Sequence, residues 1–250
     1  MPLLKAKKIF SVISTIICLT LLFSTSVFAI SEDELFIYDG IKFENEADIE
    51  RYKELDDAEK STFKENDDLI VLSISEEFVS EMPSGSLSTL AVIKPTTMSG
   101  KISVSTNSQR TVYYITLYVD WLRLPAVFMR DKIAVSWAGN SALLNSYCYY
   151  KDSANSYSRD PDALLAEVGN NSFVAYELNE CHFGYMLRAT ISKANVSGLH
   201  NVTGGYAHKR FGISGITVGV DSAKNLTFTA SAVTTFDTMQ PVYTTSRLGS

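Results

Sequence analysis

Beyond Lys101 the polar and apolar positions alternate with a period of two, the signature of half-buried strands. Ile102, Val104 and Thr106 share one side, as do Ile133, Val135 and Trp137. In the longest such run Phe183, Tyr185, Leu187, Ala189 and Ile191 face one way, and His182, Met186, Arg188, Thr190 and Ser192 the other. Leu226, Phe228, Ala230 and Ala232 repeat the pattern against Thr227, Thr229 and Ser231. Residues 112–121 are apolar on both sides, as suits a central strand covered twice. The spacing predicts strands at 101–107, 112–121, 132–138, 142–150, 172–178, 182–193, 213–220 and 225–233. One helical interruption is expected, with Asp160 as cap, Pro161 in the first turn, Leu164, Leu165 and Val168 on the apolar side and Gly169 as the stop. Regular short strands with few helical windows predict a mainly β fold, an antiparallel β-sandwich or barrel-like domain, over residues 100–250.

The preceding segment follows another period. Asn45 heads a helical stretch to Leu55, with acidic residues in its first turn and Ile49, Tyr52, Leu55 or Ala58, and Phe63 on a narrow apolar stripe. Such a stripe needs a surface to lie on. Residues 69–74 read as extended, Ser75-Glu76-Glu77 as a turn of helix ended by Pro83, and Pro83 to Ser88 as a polar hinge. Residues 30–99 therefore read as an acidic, partly helical segment with a hinge, a candidate pro-region.

Before it, Lys5, Lys7 and Lys8 precede an apolar run from Ile9 to Phe23, and Val27-Phe28-Ala29 offers a cleavage site, so residues 1–29 read as a secretory signal peptide of Gram-positive type. The run is interrupted by Ser and Thr and is too short for a lasting anchor. Losing those three lysines takes the formal charge from −6 to −9. Residues 30–82 carry −13 of this and residues 83–250 carry +4. The dispersed basic residues of the second part give no footprint for nucleic acid.

Catalytic motifs are missing from the pattern. Gly212-Ile213-Ser214-Gly215 misses the spacing of a nucleophile elbow, and His182, His200 and His208 offer no pair one helical turn apart. Asp120, Asp131, Glu177, Glu180, Asp221 and Asp237 lie near strands, where two converging acids would suit glycan hydrolysis. Ion pairing with Arg123 or Arg130 explains Asp120 and Asp131 as well. Asp152, Asn155, Asp160 and Asp162 lack the calcium-loop rhythm. No cofactor or metal is implied. Gly204 to Gly212 reads as a turn or a cationic aromatic tip. The stretches Trp121-Leu122-Arg123-Leu124-Pro125 and Tyr206-Ala207-His208 resemble those of small exported proteins of Gram-positive bacteria, which implies no activity.

Residues 145–158 set Tyr147, Tyr149, Tyr150 and Tyr157 among Ser and Asn, the make-up of a binding loop, although Tyr147 or Tyr149 filling a core at a strand end explains it equally. Cys148 and Cys181 are the two cysteines left after signal removal, and a disulfide closing about 33 residues would contribute about 3.7 kcal/mol. These readings expect a secreted binding or surface-interaction module for an extracellular ligand, a glycan or a cell-surface protein. A secreted toxin or antimicrobial effector with an acidic pro-segment is the alternative, and a carboxylate-based glycan hydrolase comes third.

Overall fold

The computed structural model describes residues 35–81, 97–124, 130–152, 154–169, 171–211, 215–230, 235–239 and 241–249. The signal peptide expected at residues 1–29 and the hinge expected at Pro83 to Ser88 lie outside them. Two sheets face each other. The larger runs β1 (Phe36–Tyr38), β2 (Ile41–Phe43), β3 (Leu69–Ile74), β5 (Thr97–Asn107), β6 (Val112–Arg123), β12 (Gly184–Ser192), β8 (Leu143–Lys151) and β9 (Tyr157–Arg159), with β4 (Phe78–Glu81) also paired to β5. The smaller runs β10 (Leu164–Gly169), β11 (Phe173–Leu178), β7 (Asp131–Trp137), β13 (Leu199–Phe211) and β16 (Thr235–Thr238), with β17 (Val242–Arg247) beside the first half of β13. All described pairings are antiparallel except β2 with β3. Between the sheets lies a core that takes Ile115, Leu117 and Val119 from β6, Tyr185, Leu187 and Ala189 from β12, Ile133, Val135 and Trp137 from β7, and Val202 and Tyr206 from β13. The mainly β antiparallel architecture is thus the one the alternation predicts.

A hairpin of β14 (Ile216–Val220) and β15 (Leu226–Ala230) packs Val218 and Leu226 on Ala134 and Ala175, on the side of the smaller sheet away from the main core. That second cover explains why β7 is buried at every position.

The acidic segment is not a separate body, because residues 35–81 share one compact unit with the rest. β3 and β4 pair with consecutive stretches of β5. The helical stripe divides into α1 (Glu46–Lys53) and α2 (Asp57–Lys64). Asn45 Oδ1 accepts the Ala47 amide at 3.0 Å, and Asp56 and Glu59 form a reciprocal capping box that starts α2. Both helices lie on the outer face of the larger sheet, where Tyr52, Leu55 and Phe63 join Val71, Ile74, Tyr118 and Met186 in a second core. The buried Asp48 ties α1 down by accepting the Ile74 amide at 2.8 Å.

Three local expectations are corrected. Residues 160–169 form no helix: Asp160 Oδ1 accepts the amides of Asp162 and Ala163, so the capping signal makes a turn, and Leu164–Gly169 follows as β10 on the edge beside β11. Six residues gain more from that ladder than from one marginal helical turn. Ser75 to Glu77 open no helix, because Ser75 Oγ accepts the Ile102 amide and the chain runs on into β4. Gly204 lies inside β13 rather than in a turn; a Cβ there would stand 2.5 Å from Leu117 Cδ1, so the glycine serves close sheet packing.

Candidate functional site

Strand register turns the outer face of the larger sheet into a grid. Alternation puts Tyr114, Thr116, Tyr118 and Asp120 of β6 outward, opposite Ile115, Leu117 and Val119 in the core. Pairing then sets the rows. Ser105, Tyr114, Thr190 and Asn145 form the first, and Ser103, Thr116, Arg188 and Tyr147 the second. Lys101, Tyr118, Met186, Tyr149 and Arg159 form the third, and Ser99, Asp120, Gly184, Lys151 and Tyr157 the fourth.

Helix α2 covers the β5–β6 side of this grid and leaves the β12–β8–β9 side open. Along its border runs a cleft of about 170 Å³ walled by Thr62 and Phe63 of the helix, by Glu65 just past its end, and by Tyr114, Thr116 and Arg188 of the sheet. Arg188 is held by Glu65 at 2.7 Å and by the Thr62 carbonyl at 3.3 Å. Tyr118 and Thr62 hydroxyls lie 2.6 Å apart beneath it. The long strand 182–193 already placed Arg188 on its polar side; which neighbours it would meet depended on pairing.

Of the four tyrosines singled out in the sequence, three face this grid and one does not. Tyr147 carries the Arg159 guanidinium 4.3 Å from its ring centre. Tyr149 is half-buried against the second core, and Tyr157 packs on Tyr118 with ring centres 6.0 Å apart. Tyr150, one residue out of phase, packs against the inter-sheet core and stacks on His182 at 4.2 Å. The expected loop is mostly ordered strand, and core contact falls to Tyr149, Tyr150 and Tyr157 rather than to Tyr147.

The expected disulfide is not present: Cys148 and Cys181 are unpaired, the first buried, the second exposed. Cys148 lies opposite Leu187, three residues inside β8 from the Lys151–Gly184 pair nearest Cys181. That is about 10 Å along the strand, beyond the reach of a bridge. Burial pushes both thiols up, Cys181 to about 11 with Asp131 contributing. Alkylation of denatured, unreduced protein is therefore expected to label both cysteines, and alkylation of native protein only Cys181, slowly at neutral pH. Protection of both after denaturation would contradict this.

The carboxylates divide among structural partners. Asp131 is fully buried and accepts from Tyr206 Oη at 2.6 Å, His208 Nδ1 at 2.9 Å and the Lys209 amide at 2.9 Å. Burial pushes its carboxyl up against the opposing pull of those bonds. The expected pairing of Asp131 with Arg123 or Arg130 is replaced by this network, and Arg130 instead meets Glu177 at 3.2 Å. Asp152 and Asp160 spend oxygens on the turns that follow them. Asp56, Glu59 and Asp120 do converge, with carboxylate oxygens within 4.8 Å of one another. They have the reach of a cation site, but Lys101 and Lys151 supply the cations, and Glu59 is 1% exposed. That arrangement does not present two acids to a sugar.

Fold and face together define a two-sheet antiparallel β protein with a polar, aromatic outer surface beside a shallow cleft. No protein-family model matches the chain, and neither does any curated protein. Among solved structures, the KRT10-binding region domain of the pneumococcal serine-rich repeat protein PsrP is similar at 8% identity and a TM-score of 0.35, over 55% of this chain and 88% of that one. A pore-forming protein is similar at 8% identity and a TM-score of 0.29, over 65% and 89%. No helix among the described residues is long and apolar enough to cross a membrane.

Proposed function

We propose that this is a secreted binding module that holds its ligand on the open part of the outer face, around Tyr147, Tyr149, Arg188, Arg159 and Asn145. The observation that carries the reading is the row structure itself: half-exposed phenol rings alternate with guanidinium, hydroxyl and amide groups next to a ready-made cleft. Flat rings with fixed hydrogen-bonding groups between them suit a polyhydroxylated ligand, so an extracellular glycan is the first class to test and a cell-surface protein the second. Tyrosine supplies broad contact at small entropic cost, and Arg159 against Tyr147 limits the freedom of both before any ligand arrives.

Against the toxin reading stands the way the acidic segment is built in. Cutting near Pro83 to Ser88 would leave residues 35–81 bound through β3, β4 and the buried bonds of α2 to Lys101 and Tyr118. The hydrolase reading loses its acid pair to the lysines described above.

On a glycan array, wild-type protein is expected to give discrete hits, and Tyr147→Ala together with Arg159→Ala to weaken them at least about tenfold, a loss of about 1.4 kcal/mol. Both residues lie outside the two large cores, so the variant should keep its unfolding midpoint. A folded protein that stays blank on the array and in pull-downs from cell surfaces would overturn the proposal.

A further inference from the structure

The fourth row of the grid brings an amine and a carboxyl together across an intervening strand. Asp120 on β6 and Lys151 on β8 both pair with Gly184 on β12. They meet because that residue has no side chain: a Cβ at Gly184 would stand 2.0 Å from Asp120 Oδ1. Lys151 Nζ lies 3.1 Å from Asp120 Oδ1 and 3.0 Å from Oδ2. Near-equal distances to both oxygens put the nitrogen within about 3.5 Å of the carboxyl carbon at any tilt, the separation of a near-attack arrangement. The lysine side chain is 7% exposed. The same nitrogen donates to Asp56, the N-cap of α2, and Glu59 completes the group from one turn further on.

Charge is unbalanced here. Asp56, Glu59 and Asp120 share the two ammonium groups of Lys101 and Lys151, with Glu77 at the rim 3.7 Å from Lys101. Burial pushes the Glu59 and Asp120 carboxyls above their usual range. At Asp56 burial acts in the same sense, but the bonds from Lys151 and the Glu59 amide outweigh it and hold the carboxylate low. At Lys151 burial works to lower the pKa, but Asp120 and Asp56 outweigh it and raise it. The site thus sets one amine against two carboxyl groups, of which burial favours the neutral form of Asp120 and hydrogen bonding the ionised form of Asp56.

We propose that the mature protein closes an intramolecular amide bond between Lys151 Nζ and Asp120 Cγ. Asp56 takes one proton from the Lys151 ammonium. The freed nitrogen lone pair attacks the carboxyl carbon of protonated Asp120, the C–OH bond breaks, and the hydroxyl departs with a second amine proton as water. An ammonium, a carboxylic acid and a carboxylate become an amide, a water and a protonated Asp56, which returns its proton to solvent on its exposed side. No oxidant or other reagent enters. The driving force is the exchange of a desolvated ion pair for a neutral amide, and the buried setting limits hydrolysis back. The bond would join β6 to β8 across β12 beneath α2.

The test is mass spectrometry of the full secreted chain. Relative to the mass calculated from its own N-terminus, wild type is expected to be lighter by one water, and digestion should yield the Asp120 and Lys151 peptides as one linked species with no tryptic cleavage at Lys151. Lys151→Arg keeps the cation and should restore the full mass. Wild type at full mass with ordinary cleavage at Lys151 would overturn the proposal. So would a missing water that persists in Lys151→Arg, because it would place the dehydration elsewhere.

Discussion

Lys101→Met is expected to destabilise the protein by about 3–5 kcal/mol, far more than an exposed ion pair would. Lys101 Nζ donates to Glu59 Oε2 at 3.0 Å and Oε1 at 3.3 Å, and Glu59 is among the most buried charged residues of the molecule. Without the ammonium, Glu59 loses its own cation, and the one ammonium of Lys151 is left to three acids, so burial drives Glu59 to take up a proton. Removing both members, as Lys101→Met with Glu59→Leu, should recover much of the loss, less the capping-box bond to the Asp56 amide. Urea unfolding of the two variants measures this asymmetry, and a single variant within about 0.5 kcal/mol of wild type would show that the pair is not desolvated.

The same pair has a signature in alkali. Burial works to lower the Lys101 pKa, but Glu59, then Glu77 and Asp120, outweigh it and raise the pKa. A lysine whose folded pKa lies above its unfolded value contributes stability in full below about 10.4 and loses it as pH rises through the folded value. Wild type should therefore lose this contribution in that window while Lys101→Met shows no corresponding decline.

Asp131→Ala should cost a similar amount, about 3–5 kcal/mol, by another route. One side chain satisfies Tyr206, His208 and the Lys209 amide, and thereby pins β7 to β13 where the two strands bury the inter-sheet core. Its loss removes the acceptor that the Tyr206 hydroxyl and the Lys209 amide share away from water. Tyr206→Phe removes only one of those bonds and keeps the ring against Trp121, at 5.7 Å between centres, so a cost of about 0.5–1.5 kcal/mol is expected. Equal costs for the two variants, read from denaturant midpoints at constant slope, would argue against a shared network.

Much of the larger sheet was legible because alternation is a local property. Residues 112–121 and 182–193 read as strands, the first covered on both sides and the second with Tyr185, Leu187, Ala189 and Ile191 on one face, and the other face of the second already held Met186, Arg188 and Thr190. β13 was missed although it is the longest described strand, because Gly204-Gly205 and the polar pair His208-Lys209 imitate a turn. Only the facing Leu117 shows why a glycine belongs there. The tyrosine cluster was legible as composition but not as a site, since Tyr149 and Tyr150 go to opposite faces once β8 is a strand. Asp160 sent a true capping signal whose outcome, turn or helix, rested on whether β11 was there to pair with what followed.

By itself, then, the sequence determined the class of structure, because a period of two over many short runs admits few ways to hide apolar side chains. It also determined the helix start at Asn45, where a side chain caps its own neighbours, whereas the second start at Asp56 came only with the structure. Only the tertiary structure decided that the acidic segment belongs to the sheet, that Cys148 and Cys181 stay apart, and that Asp56, Glu59, Lys101, Asp120 and Lys151 share one buried cluster. Those outcomes depend on contacts between residues far apart in sequence, 95 positions for Asp56 and Lys151, and no local pattern encodes which element lies beside which.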